Sequence, residues 1–344
     1  MRRSQYRISS IHWRQKTKNP VFISISTGKV LSSYDTKQML TVSPCYRGRG
    51  YGCLRSAAWM FSYEPLHIEP DKEPTIMGRT IKLLLYYFAY QLAFNGVFIC
   101  SYMIYNHTTE VPGISDGPYF NLLLWASVLA TVAIGIHLLA GKYTSVHPVR
   151  WNTPQTIKIG LSSIVLVTGM GLWTNYLNEL ADLPNNFQEM FDKMMHHPLG
   201  IVSIVILAPL VEELLFRGSI QGHLLRKWKN PVWAILFSSL IFGAVHGNPV
   251  QIPFAFVLGT ALGWMYYRTG SLLPSILMHF VNNGTAVCTF LFAEDPQATL
   301  ISTYGTGGAA GIAVLGVVLT VVSIGYIVRQ IPQTPVWKEP APMP

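Results

Sequence analysis

The sequence predicts an all-α polytopic membrane protein with about eight transmembrane helices and a polar cavity between the fourth, fifth and seventh. Three observations carry this. Half of the 344 residues are hydrophobic and 12% are charged, against about 25% charged in ordinary soluble domains. Apolar segments of roughly 20 residues, the length that crosses a bilayer, recur through most of the chain. One of them, 199–225, contains Glu212, Glu213 and Arg217, charges that cost about 2.5–3.5 kcal/mol each at a bilayer centre and are kept there for a use.

Residues 1–76 come first and are of different material. They hold 12 Lys/Arg against 5 Asp/Glu, most of the net charge of +9, and no long apolar run. This segment reads as a basic N-terminal extension: a disordered cytoplasmic tail, an organellar transit peptide, or a stretch before a native start at Met77. The basic pI therefore requires no nucleic-acid partner. The core, 77–330, follows, and 331–344 is a short Pro-rich cytoplasmic tail.

The eight spans are expected at 80–105, 119–140, 157–178, 199–225, 231–247, 250–267, 271–292 and 306–328. The fifth and sixth are short and joined by the tight turn Gly247-Asn248-Pro249, so that this hairpin can tilt or re-enter. The loops alternate in charge. Arg79 and Lys82, then Lys142, Arg150 and Lys158, then Arg226, Lys227 and Lys229, then Arg268, then Arg329 and Lys338 fall on one side. Glu110, Asp116, Glu179, Asp182, Glu189, Asp192, Lys193, Glu294 and Asp295 fall on the other. The positive-inside rule makes the basic side cytoplasmic and puts both ends of the core there, as in a bacterial plasma membrane. Between Asn175 and His197, Leu177, Leu180, Phe187, Met190 and Met194 have loose helical spacing. An amphipathic helix on the outer interface and a solvated loop both fit.

Four cysteines (Cys45, Cys53, Cys100, Cys288) form no C-x-x-C pair. Cys100 and Cys288, inside apolar segments, read as small buried hydrophobes. His137, His147, His196, His197 and His223 fall at span ends or in loops and read as solvated.

The chemistry concentrates in three spans. Glu213 and Arg217 are four residues apart, share a helix face and can pair. Glu212 points about 100° away, free to face a cavity as a general base or acid. His246 closes Phe242-Gly-Ala-Val-His246, and His279 and Asn283 project from one face of the seventh span. A histidine can move protons and an asparagine can donate to an oxyanion. Each alone has a plainer reading as a helix–helix hydrogen bond; convergence on one wet cavity satisfies them all. Depth counting opposes this in one respect, placing His246 nearer the outer end of its span than Glu212 or His279.

Glu212-Glu213-Leu-Leu-Phe-Arg217, Phe242-Gly-Ala-Val-His246 and His279-Phe-Val-Asn-Asn283 together resemble the EExxxR, FxxxH and HxxxN signature of the CPBP family of intramembrane proteases. That family comprises the CAAX prenyl endopeptidases and the bacteriocin-processing and immunity (Abi) relatives. The resemblance covers 199–292 by motif and about 80–328 by span count. It implies an endopeptidase acting on a membrane-anchored protein or peptide in membrane lipid. Glu212 would activate water with His246 assisting, His279 and Asn283 would stabilise the oxyanion, and Glu213 with Arg217 would support the helix. Members are often called metalloproteases, and Glu212, His246 and His279 would be the ligands of a divalent metal such as zinc, although no H-E-x-x-H occurs and a Glu-activated water uses the same residues. A non-catalytic membrane adaptor or immunity protein would retain the same motif. A proton-coupled transporter would show the pattern in two related halves, and none is visible.

Overall fold

In the computed structural model, the described residues are 76–333 except 112, 114–116, 145–150, 229 and 296–297. The N-terminal extension and nearly all of the C-terminal tail, with Cys45, Cys53 and His147, lie outside them. The described residues form nine helices and belong to one compact unit, Glu69–Pro344. They are α1 (Ile76–Tyr105), α2 (Gly117–Ala140), α3 (Thr153–Ala181), α4 (Gln188–Met195), α5 (Pro198–Lys227), α6 (Pro231–Ala244), α7 (Ile252–Thr269), α8 (Leu272–Phe292) and α9 (Leu300–Gln330).

Helix starts follow from local chemistry. Asn152 caps α3 reciprocally with Gln155, and Thr299 caps α9 with Ser302, each satisfying backbone N–H groups that have no intrahelical partner. Asn230 and Ser271 cap α6 and α8. Gly270 ends α7 at φ 68°, the left-handed geometry that admits glycine at no steric cost.

Each of the eight expected spans corresponds to a helix, and six of these (α1, α2, α3, α5, α8 and α9) are long and apolar enough to cross a membrane. The 14 residues of α6 rise only about 21 Å, short of a hydrocarbon core of about 30 Å. Together α6 and α7 form the packed hairpin anticipated as tilting or re-entrant. Many large apolar side chains point outward, among them Leu92 at 77% and Val314 at 63% exposure. Water would not tolerate such a surface, and lipid does. The protein is an integral membrane protein.

The most extensive helix–helix contact among the described residues joins α3 to α9. A Cβ on Gly169 would lie 2.9 Å from the Leu319 Cβ, and one on Gly316 would lie 2.7 Å from the Gly169 carbonyl oxygen. The missing side chains let the two backbones touch, as small residues do between membrane helices.

Three expectations need correction. The stretch 175–197 is not one amphipathic helix: Leu177 and Leu180 belong to the end of α3, and only Gln188–Met195 forms a separate short helix. Its approach is pinned by Asn248, which donates to the Asn185 side chain and accepts from the Asn186 N–H. Cys100 and Cys288 are exposed on the apolar outer face rather than buried, because each points away from the bundle. His223 is buried, and His137 is enclosed by Tyr86, Tyr90 and Tyr143 rather than solvated.

Candidate active site

The site is built on an irregular helix. In α5 the backbone widens to π-helical turns at Ser203–Leu207 and Glu213–Gln221. π-turns are uncommon and concentrate at functional sites. The first has a covalent cause. The Ala208 N–H bonds to the Ser203 carbonyl, and Pro209, next in line, has no N–H to offer the Ile204 carbonyl. Asn283 supplies the missing donor from α8, with its Nδ2 2.9 Å from Ile204 O.

The second wide turn begins at the paired glutamates. Glu213 is fully buried, and its Oε1 accepts from Arg217 Nη1 at 2.8 Å and from His279 Nδ1 at 2.9 Å. Arg217, also buried, donates through Nη2 to the Gly259 carbonyl at 3.1 Å and lies 4.3 Å from the Phe242 ring centroid. Gly259 is required there, since a Cβ would stand 3.1 Å from Arg217 Nη2 and 3.0 Å from Phe242 Cδ1. One carboxylate thus joins α5 to α8, and one guanidinium joins α5 to α6 and α7. Such a group is stable only when complete, because removing one member of a buried ion pair costs about 3–5 kcal/mol.

Glu212 is placed differently. Its side chain retains 19% exposure and makes no contact with Arg217 within ion-pair distance; its Oε2 lies 3.8 Å from His279 Nε2. A carboxylate only accepts, so the proton between His279 and Glu213 sits on Nδ1, and Nε2 is the atom turned to Glu212. The two neighbouring acids therefore grip opposite nitrogens of one imidazole, the buried acid tightly and the accessible one loosely. The expected separation of Glu212 from the Glu213–Arg217 pair is observed. The link from Glu213 to His279 was not expected.

His246 lies just beyond the end of α6. Its Nδ1–H donates to the Phe242 carbonyl at 2.7 Å, which leaves Nε2 as the open nitrogen. The Phe242 ring is edge-on to His246 (4.9 Å between centroids) and to His279 (5.7 Å), beneath the Arg217 guanidinium. Phe242 is thus a hub joining Arg217, His246 and His279, a role its place in the FxxxH spacing does not reveal. Across this shared phenyl ring His246, at the end of α6, and His279, on α8, face a common neighbour. Asn283 is brought near the site on α8, but one amide N–H is committed to Ile204 and its Oδ1 accepts from Asn282 at 3.1 Å.

Glu212, His246 and His279 are the candidate metal ligands. Among the described residues no group of three or more His, Cys, Asp or Glu stands close enough together to hold a metal ion, and His279 Nδ1 is already bonded to Glu213.

Comparison with known proteins converges on this part of the chain. The family described as "Type II CAAX prenyl endopeptidase Rce1-like" matches residues 195–285. "Putative membrane peptidase YdiL" of Bacillus subtilis (strain 168) is 30% identical over 139 residues, 38% of this chain and 57% of that protein. "Uncharacterized protein YpbD" of the same strain is 28% identical over 139 residues, 39% of this chain and 67% of that protein. "Membrane-embedded CAAX protease MroQ" of Staphylococcus aureus (strain USA300) is 35% identical over 106 residues, 29% of this chain and 42% of that protein. The chain thus spans roughly half the length of the curated relatives it matches. No solved structure matches. The matched segment 195–285 carries Glu212, Glu213, Arg217, His246, His279 and Asn283 together, and over that segment this chain is similar to the Rce1-like type II CAAX prenyl endopeptidases.

Proposed function

We propose that this protein is an intramembrane endopeptidase that hydrolyses a peptide bond in a membrane-anchored protein or peptide, with the basic loops and both ends of its core in the cytoplasm. The observation that carries this reading is the clamped imidazole: His279 is held at Nδ1 by a buried carboxylate that is itself held by Arg217, while Nε2 faces the accessible Glu212. A base, an oriented proton carrier and a supporting group in this order are what hydrolysis by activated water requires.

In the proposed reaction Glu212 accepts a proton from water, and the resulting hydroxide adds to the scissile carbonyl carbon. Nε2 of His246 is open to assist the same proton transfer. The oxyanion formed accepts an N–H bond from Nε2 of His279 in its doubly protonated form, with the Glu213 carboxylate at Nδ1 balancing the ring's charge while Glu212 holds the proton taken from water. Asn283 contributes its second amide N–H. The proton held by Glu212 then passes to the leaving nitrogen as the C–N bond breaks, and the carboxylate is regenerated. Glu213, Arg217 and Phe242 are positioning residues, since they act on His279 and α5 rather than on substrate.

The test compares protein N-termini in cells expressing wild type or Glu212→Gln at matched membrane levels. N-termini present only with wild type are expected, and they would identify the cleavage site. Identical N-terminal profiles, with Glu212→Gln retaining the wild-type phenotype, would transfer the assignment to a non-catalytic membrane adaptor.

A further inference from the structure

A second charged cluster lies where the start of α1 meets the last turn of α5. One face of α1 carries Arg79, Lys82, Tyr86 and Tyr90 at helical spacing. Arg79 Nη2 donates to the Tyr143 carbonyl at 2.9 Å, and its guanidinium lies 5.7 Å from the Tyr143 ring centroid. Lys82 Nζ lies 5.5 Å from the Tyr86 ring and 5.7 Å from the Tyr143 ring. The loop holding Tyr143 is fixed over α5 by Thr144, which donates to the Leu214 carbonyl and bonds the Ser219 hydroxyl. Gly218 makes room for it, because a Cβ there would stand 2.3 Å from Thr144 Cγ2.

The last turn of α5 packs on α1 and brings Arg226, whose charge acts on that of Arg79. Over Gly222, Arg226 Nη1 and the Tyr266 hydroxyl converge, at 3.6 and 3.0 Å from where a Cβ would be. Arg226 Nη1 and Arg79 Nε are buried and have no hydrogen-bond partner among the described residues. No Asp or Glu occurs at 77–109, 117–178 or 214–293, so none of these segments can supply the counter-charge. Buried guanidinium N–H groups without an acceptor are costly, and two cations that repel each other add to that cost. An anion shared between them relieves both.

We infer that Arg79, Lys82 and Arg226 form a binding site for the phosphate of an anionic phospholipid headgroup. Arginine suits phosphate oxygens through its paired N–H donors, and basic pockets between helices at a membrane surface recognise such headgroups. A lipid is favoured over a soluble anion by what adjoins the cations. Beside Lys82 the outer face of α1 presents Ile81, Leu85, Phe88 and Leu92, all exposed, an apolar strip along which acyl chains descend from a phosphate held at the helix end.

The experiment uses the full chain, purified in detergent and stripped of lipid, then titrated with phosphatidylglycerol or with phosphatidylcholine of the same acyl chains and read by native mass spectrometry. Phosphatidylglycerol adducts are expected to exceed phosphatidylcholine adducts, and Lys82→Gln and Arg226→Gln are each expected to lower that preference about fivefold. Arg226→Lys should preserve most of it. Lys82 is exposed, so its variant tests the site without threatening the fold. Equal retention of the two lipids, or an unchanged preference in both Gln variants, overturns the inference and assigns the cations to an acceptor of the chain itself. Displacement of phosphatidylglycerol by millimolar inorganic phosphate overturns it in favour of a soluble-anion site.

Discussion

Replacing Arg217 by Met is the sharpest test of how the site is held. The change removes the charge that neutralises fully buried Glu213, the hydrogen bond to the Gly259 carbonyl and the contact over Phe242. Breaking a buried ion pair costs about 3–5 kcal/mol, and loss of the cation over the ring adds roughly 0.5–2 kcal/mol. A chain of this size loses about 2–4 °C in Tm per kcal/mol, so a fall of at least about 6 °C is expected in detergent. The double variant Glu213→Gln/Arg217→Met removes both charges while leaving an amide oxygen to accept from His279 Nδ1. It should recover most of the loss, because a buried pair replaced by neutral groups is often no less stable than the original. The measurement is a double-mutant cycle by thermal unfolding in one detergent, with Glu213→Gln as the fourth corner. A single Arg217→Met variant within about 1 kcal/mol of wild type, or a double variant no better than the single, would refute the account of Glu213 as a carboxylate stabilised chiefly by this guanidinium.

Other outcomes follow from the same geometry. Glu212→Gln keeps the shape of the side chain and removes no hydrogen bond within 3.5 Å, so it should leave stability within about 0.5 kcal/mol of wild type, yet lower turnover by about 10²–10⁴; equal turnover would remove Glu212 from the chemistry. Asn283→Ala strands the Ile204 carbonyl that Pro209 cannot serve, and should cost about 1–3 kcal/mol. If Asn283 is only a brace, turnover per folded molecule stays unchanged, whereas a direct oxyanion donor would lower it by up to about 10³. Gly169→Val should destabilise by about 1–3 kcal/mol through overpacking against Leu319, while the same change at Gly171, where a Cβ meets nothing within 4 Å, should cost clearly less; similar losses at both would argue against close α3–α9 contact.

Much of this protein is legible along the chain, because the bilayer makes local rules unusually strict. A membrane span must satisfy its backbone within itself and present apolar side chains, so length and composition alone place α1, α2, α3, α5, α8 and α9. Spacing by fours likewise predicts that Glu213 and Arg217 pair, since both lie on one helix and depend on no partner helix. What lies between helices is not legible in this way. That Glu213 rather than Glu212 holds His279, and that Phe242 gathers Arg217, His246 and His279, depends on contacts separated by tens of residues. The role of Asn283 follows from an interruption the sequence does contain, Pro209, but the donor that repairs it comes from another helix. The burial of His223 and the outward turn of Cys100 and Cys288 have the same origin: helix rotation is set by packing against neighbours, and a uniformly apolar segment carries little information about which of its faces turns inward.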